Sequence, residues 1–188
     1  MTRIEDYQLR PIGREDLATV LRWRNSGRIK ALMYSDHSIT WAEHRQWFQR
    51  SVKDPNRQAL LLVYRNQPIG VVNFTNIDRE NGRCEWGFYI GDETAPKGSG
   101  TIMGWLALDT IFNDPGMHKV CSEIIATNRV SYLFHQKLGF VTEGRLADHV
   151  RKNKVYQDVI RMALFAEDWV RVRAAIVNEL QEREKRQG

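Results

Sequence analysis

Cysteine is scarce: two residues, Cys84 and Cys121, in a chain of 188. Both lie inside apolar segments, far from any CxxC or histidine-rich spacing, which excludes a disulfide-stapled miniprotein and a structural zinc site. Two reduced, buried thiols in a cytoplasmic protein fit better, and no metal is expected. Long hydrophobic runs are also missing. No window approaches the ~18 uninterrupted apolar residues of a membrane span. The opening segment MTRIEDYQLRPIG carries acidic residues where a signal peptide needs an apolar core, so neither membrane nor export is expected. No Pro-, Ser- or Gly-rich stretch is long enough to be a linker, and no internal repeat is visible. The chain therefore reads as one domain over 1–188, with a core over 7–164 and a C-terminal helix over 167–183. An excess of one charge sign is nearly absent too: 28 Lys and Arg against 23 Asp and Glu leave +5. That surplus suits a polyanionic small molecule as well as a nucleic acid. With 42% hydrophobic residues the chain is rich enough for a sizeable core.

What is present has a clear order. A short strand at Tyr7 to Ile12 precedes a helical pattern from Arg14 to Asn25, with Leu17, Val20 and Leu21 on one face. A loop with an apolar centre, Ala31 to Ser35, follows. Thr40 with Glu43 is a capping box that opens a helix carrying Trp41, His44, Trp47 and Phe48. Ala59 to Tyr64, Val71 to Ile77 and Cys84 to Ile90 read as an antiparallel meander, turning at Asn66–Gly70 and at Asn81-Gly82. Beyond it come a helix at Thr101 to Phe112, a strand at Val120 to Ala126, a helix at Val130 to Leu138 and two strands turning at Lys152-Asn153-Lys154. Helices interrupting a mostly antiparallel run of strands indicate an α+β, or mixed α/β, fold.

The segment Ala95-Pro96-Lys97-Gly98-Ser99-Gly100-Thr101 joins a strand to a helix. Glycines there allow a tight turn and bring backbone N–H groups onto an anion at the positive helix end. Neither the Lys-Ser/Thr of a phosphate-binding Walker loop nor a full dinucleotide fingerprint is present, which disfavours NTP hydrolysis and NAD chemistry. Phe88 to Met103, FYIGDETAPKGSGTIM, resembles the coenzyme A loop of the Gcn5-related N-acetyltransferases, with Ile90 ten residues before Gly100. Asn128, Ser131, Phe134, Lys137, Gly139 and Phe140 match that family's second motif, an N-x-x-A/S helix ending in K-x-G-F. The resemblance implies a central sheet whose two middle strands splay apart to admit acetyl-CoA. It implies that the backbone around Tyr89 and Ile90 pairs with pantetheine, that Gly98, Ser99, Gly100 and Thr101 hold the pyrophosphate, and that Asn128 and Lys137 belong to the same site. Where the family usually has Arg or Gln, this chain has Ala95, and Lys97 offers a replacement positive charge.

The reaction so implied needs a base for the ammonium and an acid for the departing thiolate. The family's acid is a Tyr seven residues after the Asn; that position is His135 here, with Tyr132 as a possible substitute. Histidine can give a proton, donate a hydrogen bond or simply pack. Glu123 lies mid-strand between Ser122 and Ile124, where a carboxylate is costly without a partner, and the resemblance makes it the base. For the acceptor, the arrangement Trp23-Arg24-Asn25, Met33-Tyr34-Ser35, Ile39, His44 and Phe48 resembles the N-acetyltransferases of the pseudaminic acid pathway, which act on a UDP-linked 4-amino sugar. Arg24, Met33, Tyr34, His44, Asn73, Thr75 and Tyr89 are the substrate-binding residues on that reading, and the expected partner is a small nucleotide-sugar, with a homodimer possible. Two other readings stand beside it: an N-terminal acetyltransferase of ribosomal proteins, and an inactive RNA-binding module relying on Arg171, Arg173, Arg183, Lys185 and Arg186.

Overall fold

A computed structural model describes the backbone of residues 3–187 and the side chains through Glu182. Seven strands form one sheet in the order β1-β2-β3-β4-β5-β7-β6. They are β1 (Tyr7–Pro11), β2 (Gln58–Tyr64), β3 (Gln67–Asp78), β4 (Arg83–Ile90), β5 (Lys119–Ile125), β6 (Val141–Lys152) and β7 (Val155–Phe165). Every neighbouring pair is antiparallel except β4 with β5. The helices are α1 (Leu17–Asn25), α2 (Gly27–Lys30), α3 (Trp41–Lys53), α4 (Ser99–Phe112), α5 (Arg129–Lys137) and α6 (Ala166–Gln187). This is the α+β class that the strand and helix pattern indicates.

The continuous apolar run of β2 has a structural cause. Leu60 and Leu62 face one core cluster while Leu61 and Val63 face another, so the strand is buried on both sides. The first cluster lies under α4, α5 and α6 and takes Val72, Phe74, Cys84 and Trp86 from β3 and β4. The second takes Val71, with Val20 and Trp23 of α1 over it and Trp47 and Phe48 of α3 packed alongside. Alternate residues of the central strands therefore address different sides, and the side of Val71 also carries Tyr89.

Several local boundaries differ from the sequence pattern. β3 begins at Gln67, so the turn expected over Asn66–Gly70 is the two residues Arg65 and Asn66, both at positive φ. The helical stretch after Gly13 starts with a 3-10 turn, Arg14–Asp16, because Asp16 turns inward to bond the Gly13 amide and the Arg10 guanidinium. The last helix runs to Gln187 rather than ending near 183, since its Gln, Glu, Arg and Lys residues are good helix formers. The side chains of Arg183, Lys185 and Arg186 lie outside the described residues. No helix among the described residues is long and apolar enough to cross a membrane.

Gly91, just beyond β4, fixes how α1 sits on the sheet. A Cβ there would come within 2.1 Å of Trp23 Cδ2, and the Gly91 amide donates to Ile69 O. Trp23 is 7% exposed and has no room to retreat. Gly91→Ala is expected to lower stability by about 1–3 kcal/mol through overpacking. The urea unfolding midpoint measures it, with tryptophan emission reporting the displaced indole.

Candidate active site

The pairing of β4 with β5 covers only three residue pairs, Arg83, Cys84 and Glu85 against Lys119, Val120 and Cys121. Beyond them β4 continues as Trp86–Ile90 and β5 as Ser122–Ile125 with no ladder between them, while each keeps its other neighbour. On one side of this parting, Trp86 and Phe88 of β4 meet Phe134, His135 and Phe140 in a cluster of rings 4.8–5.9 Å apart. The cluster props the strands open. Backbone groups freed by the parting can pair with an amide-bearing ligand lying like an added strand.

At the C-terminal end of β4 the chain turns into α4 through Gly98, whose φ of +96° only glycine adopts easily. A Cβ on Gly98 would meet nothing within 4 Å, so the helix end is open to a phosphate. The cradle is narrower than the glycine-rich sequence implies. The Ser99 and Thr101 amides donate to Pro96 O and Gly98 O, and the Ser99 hydroxyl is 2.9 Å from Tyr7 Oη, so Ser99 is a tie to β1 rather than a phosphate ligand. Lys97 is exposed beside the loop. Asn128 caps α5 through the Ser131 amide, Lys137 is paired to Glu179 of α6 at 2.9 Å, and Ile90 O accepts a hydrogen bond from Arg28.

The opposite side of the sheet carries a charged cleft. Arg161 of β7 donates to Glu123 Oε1 at 2.8 Å and reaches Glu85 Oε1 at 3.8 Å. Tyr34 donates its hydroxyl to Glu123 Oε2 at 2.9 Å across 89 residues of sequence. Burial first, and the Glu123 hydrogen bond second, push the Tyr34 phenol above its ordinary pKa, so it stays a donor. Asn73 and Thr75 of β3 stand opposite Gly87 and Glu85, and a Cβ on Gly87 would meet nothing within 4 Å. A cavity of about 590 Å3 continues from Glu85, Cys121 and Arg161 toward Asn76 and Asp78. That cavity lies at the paired end of β4 and β5 and shares Arg161 and Glu85 with the charged cleft.

The sequence matches the family described as acetyltransferase (GNAT) domain over residues 7–141. The chain belongs to the GNAT acetyltransferase family. It is accordingly an enzyme that moves an acetyl group from acetyl-CoA to an amine. The chain is 24% identical over 170 residues to the spermidine N(1)-acetyltransferase of Escherichia coli K12, covering 90% of this chain and 91% of that protein. It is 22% identical over 165 residues to a putative ribosomal N-acetyltransferase of Bacillus subtilis, covering 86% and 90%. Acetyltransferase PseH of Campylobacter jejuni matches at 29% over 89 residues, 47% of this chain and 54% of that protein. The crystal structure of a Vibrio cholerae spermidine N-acetyltransferase in complex with CoA and spermine superposes with a TM-score of 0.83 at 23% identity, covering 88% of this chain and 99% of that one. That likeness concerns the fold.

Within this acetyltransferase the expected site residues divide. Glu123 and Tyr34 meet in one cleft, with Asn73 and Thr75 on its floor. Arg24 puts Nη2 on Ser35 Oγ at 2.7 Å, beside Tyr34 in the chain, and its Nη1 is buried without a hydrogen-bond partner among the described residues. Tyr89 packs against the second core cluster, and burial raises its phenol pKa. Met33 is half-buried in the loop before Tyr34. His44 belongs elsewhere: it is 3% exposed, stacked on Trp47, hydrogen-bonded to the Leu17 backbone and held neutral by burial, so it fastens α3 to α1 instead of touching an acceptor. Cys84, pushed up to about 12 by burial, and Cys121, raised for the same reason, supply no thiolate nucleophile at neutral pH.

His135 also departs from expectation. Its ring is 1% exposed inside the aromatic cluster, Nδ1 is 2.7 Å from Ser131 O, and Nε2 is buried without a partner. The contact with a carbonyl places the proton on Nδ1, and burial lowers the pKa to about 4. A neutral imidazole in that tautomer has no proton to give from Nε2. Tyr132, the substitute, turns its hydroxyl to Thr142 and Gln136. Arg161, Glu85 and Gly87 were not anticipated as site residues. Each carried a signal: a charge inside an apolar strand for the first two, and a glycine inside a strand for the third.

The His135 environment has a thermodynamic consequence. Its folded pKa of about 4 lies below the ordinary 6.5, so between those values the unfolded chain binds a proton that the native state refuses. Stability therefore falls as pH drops through that window, by about 1.4 kcal/mol per unit from this group, and levels off below pH 4. Denaturant titrations from pH 7 to 4 are expected to show a smaller acid loss for His135→Phe than for the wild type.

Proposed function

We propose that the enzyme acetylates the amino group of a nucleotide-linked amino sugar, with acetyl-CoA as donor and no acyl-enzyme intermediate. The observation that carries this reading is the charge balance of the acceptor cleft. Two carboxylates, Glu123 and Glu85, stand with two guanidinium groups, that of Arg161, which reaches both, and that of Arg24 on Ser35. An acceptor carrying several positive charges would find no net negative field there. One carrying a single amine at one end and oxygen-rich, anionic groups at the other finds a carboxylate for the first and guanidinium groups for the second. The resemblance of Arg24 to Phe48 to amino-sugar enzymes supports the same acceptor.

On this reading the coenzyme lies in the parting of β4 and β5, held by the Trp86–Ile90 backbone and the α4 N-terminus, and supplies the acetyl thioester. Glu123 takes the proton that the nitrogen loses as its bond to the acetyl carbon forms and the C–S bond breaks. Arg161 and Tyr34 fix the carboxylate in place for this. A thiolate is a far better leaving group than an alkoxide or an amide anion, the cysteine thiol for example ionising at about 8.5, so the sulfur can leave as thiolate and take its proton from solvent, with no acid required of His135. A polyamine is the second reading. It is favoured by the near full-length similarity to the E. coli spermidine enzyme.

Steady-state transfer assays with a UDP-linked 4-amino-4,6-dideoxy sugar, spermidine and an N-terminal alanyl peptide separate the readings. The sugar is expected to be used with kcat/KM at least ~10-fold above the others; the reverse order with spermidine first would replace this proposal by the second. For Glu123→Gln, kcat is expected to drop by about 10²-fold with the KM for acetyl-CoA unchanged, as for loss of a general base.

A further inference from the structure

The loop that delivers Tyr34 to Glu123 has little structure of its own. The four-residue α2 ends at Lys30, and the next residues form a turn closed by Leu32 N to Ile29 O and Met33 N to Lys30 O. Its carbonyls point away from any helix or strand ladder, which is costly unless something donates to them. The donor comes from the far end of the chain. Lys152, the last residue of β6, is 6% exposed, and its Nζ donates to Lys30 O at 2.9 Å, to Ala31 O at 2.6 Å and to Met33 O. An ammonium has three N–H groups, and all three are used on this one turn.

The position of Lys152 is set by the hairpin it ends. Asn153 and Lys154 both have positive φ, +48° and +68°, and they join Lys152 to its partner Val155 in a two-residue turn of the I′ kind. The same turn makes a second attachment: the Asn153 amide donates to Asp36 Oδ2 at 3.1 Å. Segment 30–36 is thus fastened on both flanks of Tyr34, by Lys152 before it and by Asn153 after it. Arg24 adds a side-chain tie to Ser35, but the backbone of the segment is held from β6 and its turn. A single interior ammonium on three carbonyls is also more than a surface ion pair, because a departing Lys152 takes the donor from Ala31 O and Met33 O and leaves Lys30 O with the Met33 amide alone.

We propose that Lys152 is a positioning residue of the acceptor site, acting through Tyr34: by clamping the Lys30–Met33 carbonyls it sets the phenol on Glu123 and so shapes the seat of the incoming amine. This rests on the acceptor cleft described under the proposed function but not on which amine fills it.

The test uses the full chain and whichever of the three acceptors the wild type acetylates; wild-type use of the wrong acceptor overturns the proposed substrate alone. Lys152→Met is expected to raise the acceptor KM at least ~10-fold while the acetyl-CoA KM stays within ~2-fold, and to speed tryptic cleavage at Arg28 and Lys30. Its effect should largely vanish in a Tyr34→Phe background, the non-additivity of residues acting as a unit. Asp36→Ala, an exposed change that the fold tolerates, should shift the acceptor KM in the same direction by a smaller factor, and it carries the test if Lys152→Met does not fold. Effects that add in full to Tyr34→Phe, equal losses for both substrates, or an unchanged acceptor KM in the Lys152 and Asp36 variants would overturn the proposal.

Discussion

Three residue pairs join β4 to β5, and the point at which they stop governs everything built around it. A parallel ladder that ended there with nothing to hold it open would close up, because unpaired backbone groups in an interior are expensive. Trp86, Phe88, Phe134, His135 and Phe140 prevent this by filling the side of the sheet beneath the parting. Aromatic pairs stabilise such an arrangement beyond the area they bury. The backbone edges that result are strand-like, on the interior side polar, and matched to a ligand with amides of its own.

The alternation of side chains along β4 then separates two jobs. Cys84, Trp86 and Phe88 serve the core, while Glu85, Gly87 and Tyr89 serve the other side. The same holds on β5, where Glu123 lies between the buried Ser122 and Ile124. A carboxylate in that strand is tolerable because Arg161 and Tyr34 reach it from two unrelated segments. The parting thus sets a strand edge with free backbone groups beside the side of the sheet that carries the charged residues.

The histidines show how far residue type alone carries a role. His135 occupies the position of a family acid and His44 a position of the acceptor motif, yet both are buried, neutral and hydrogen-bonded to backbone. An imidazole is small enough to pack in an aromatic cluster and polar enough to tie two helices, and neither use leaves a trace in a linear motif. Ser99 makes the same point: a serine in a glycine-rich turn reads as a phosphate ligand until Tyr7 is seen to hold it.

Periodicity, capping and turn chemistry determined the class, the antiparallel meander and nearly every element of this chain, because those features depend on neighbours a few residues apart. The glycine turn, the Asn128 helix and Glu123 were legible for the same reason: each sits in a spaced local motif or violates the apolar pattern of its own strand. The tertiary structure alone decided which polar groups face one another. Glu123 gains Tyr34 from 89 residues away, Arg161 bridges Glu85 and Glu123, and Lys152 reaches back to Lys30. Such contacts depend on how the strands are ordered and where two of them part. The energy of burying each charge is settled only once its partner from a distant segment is in place.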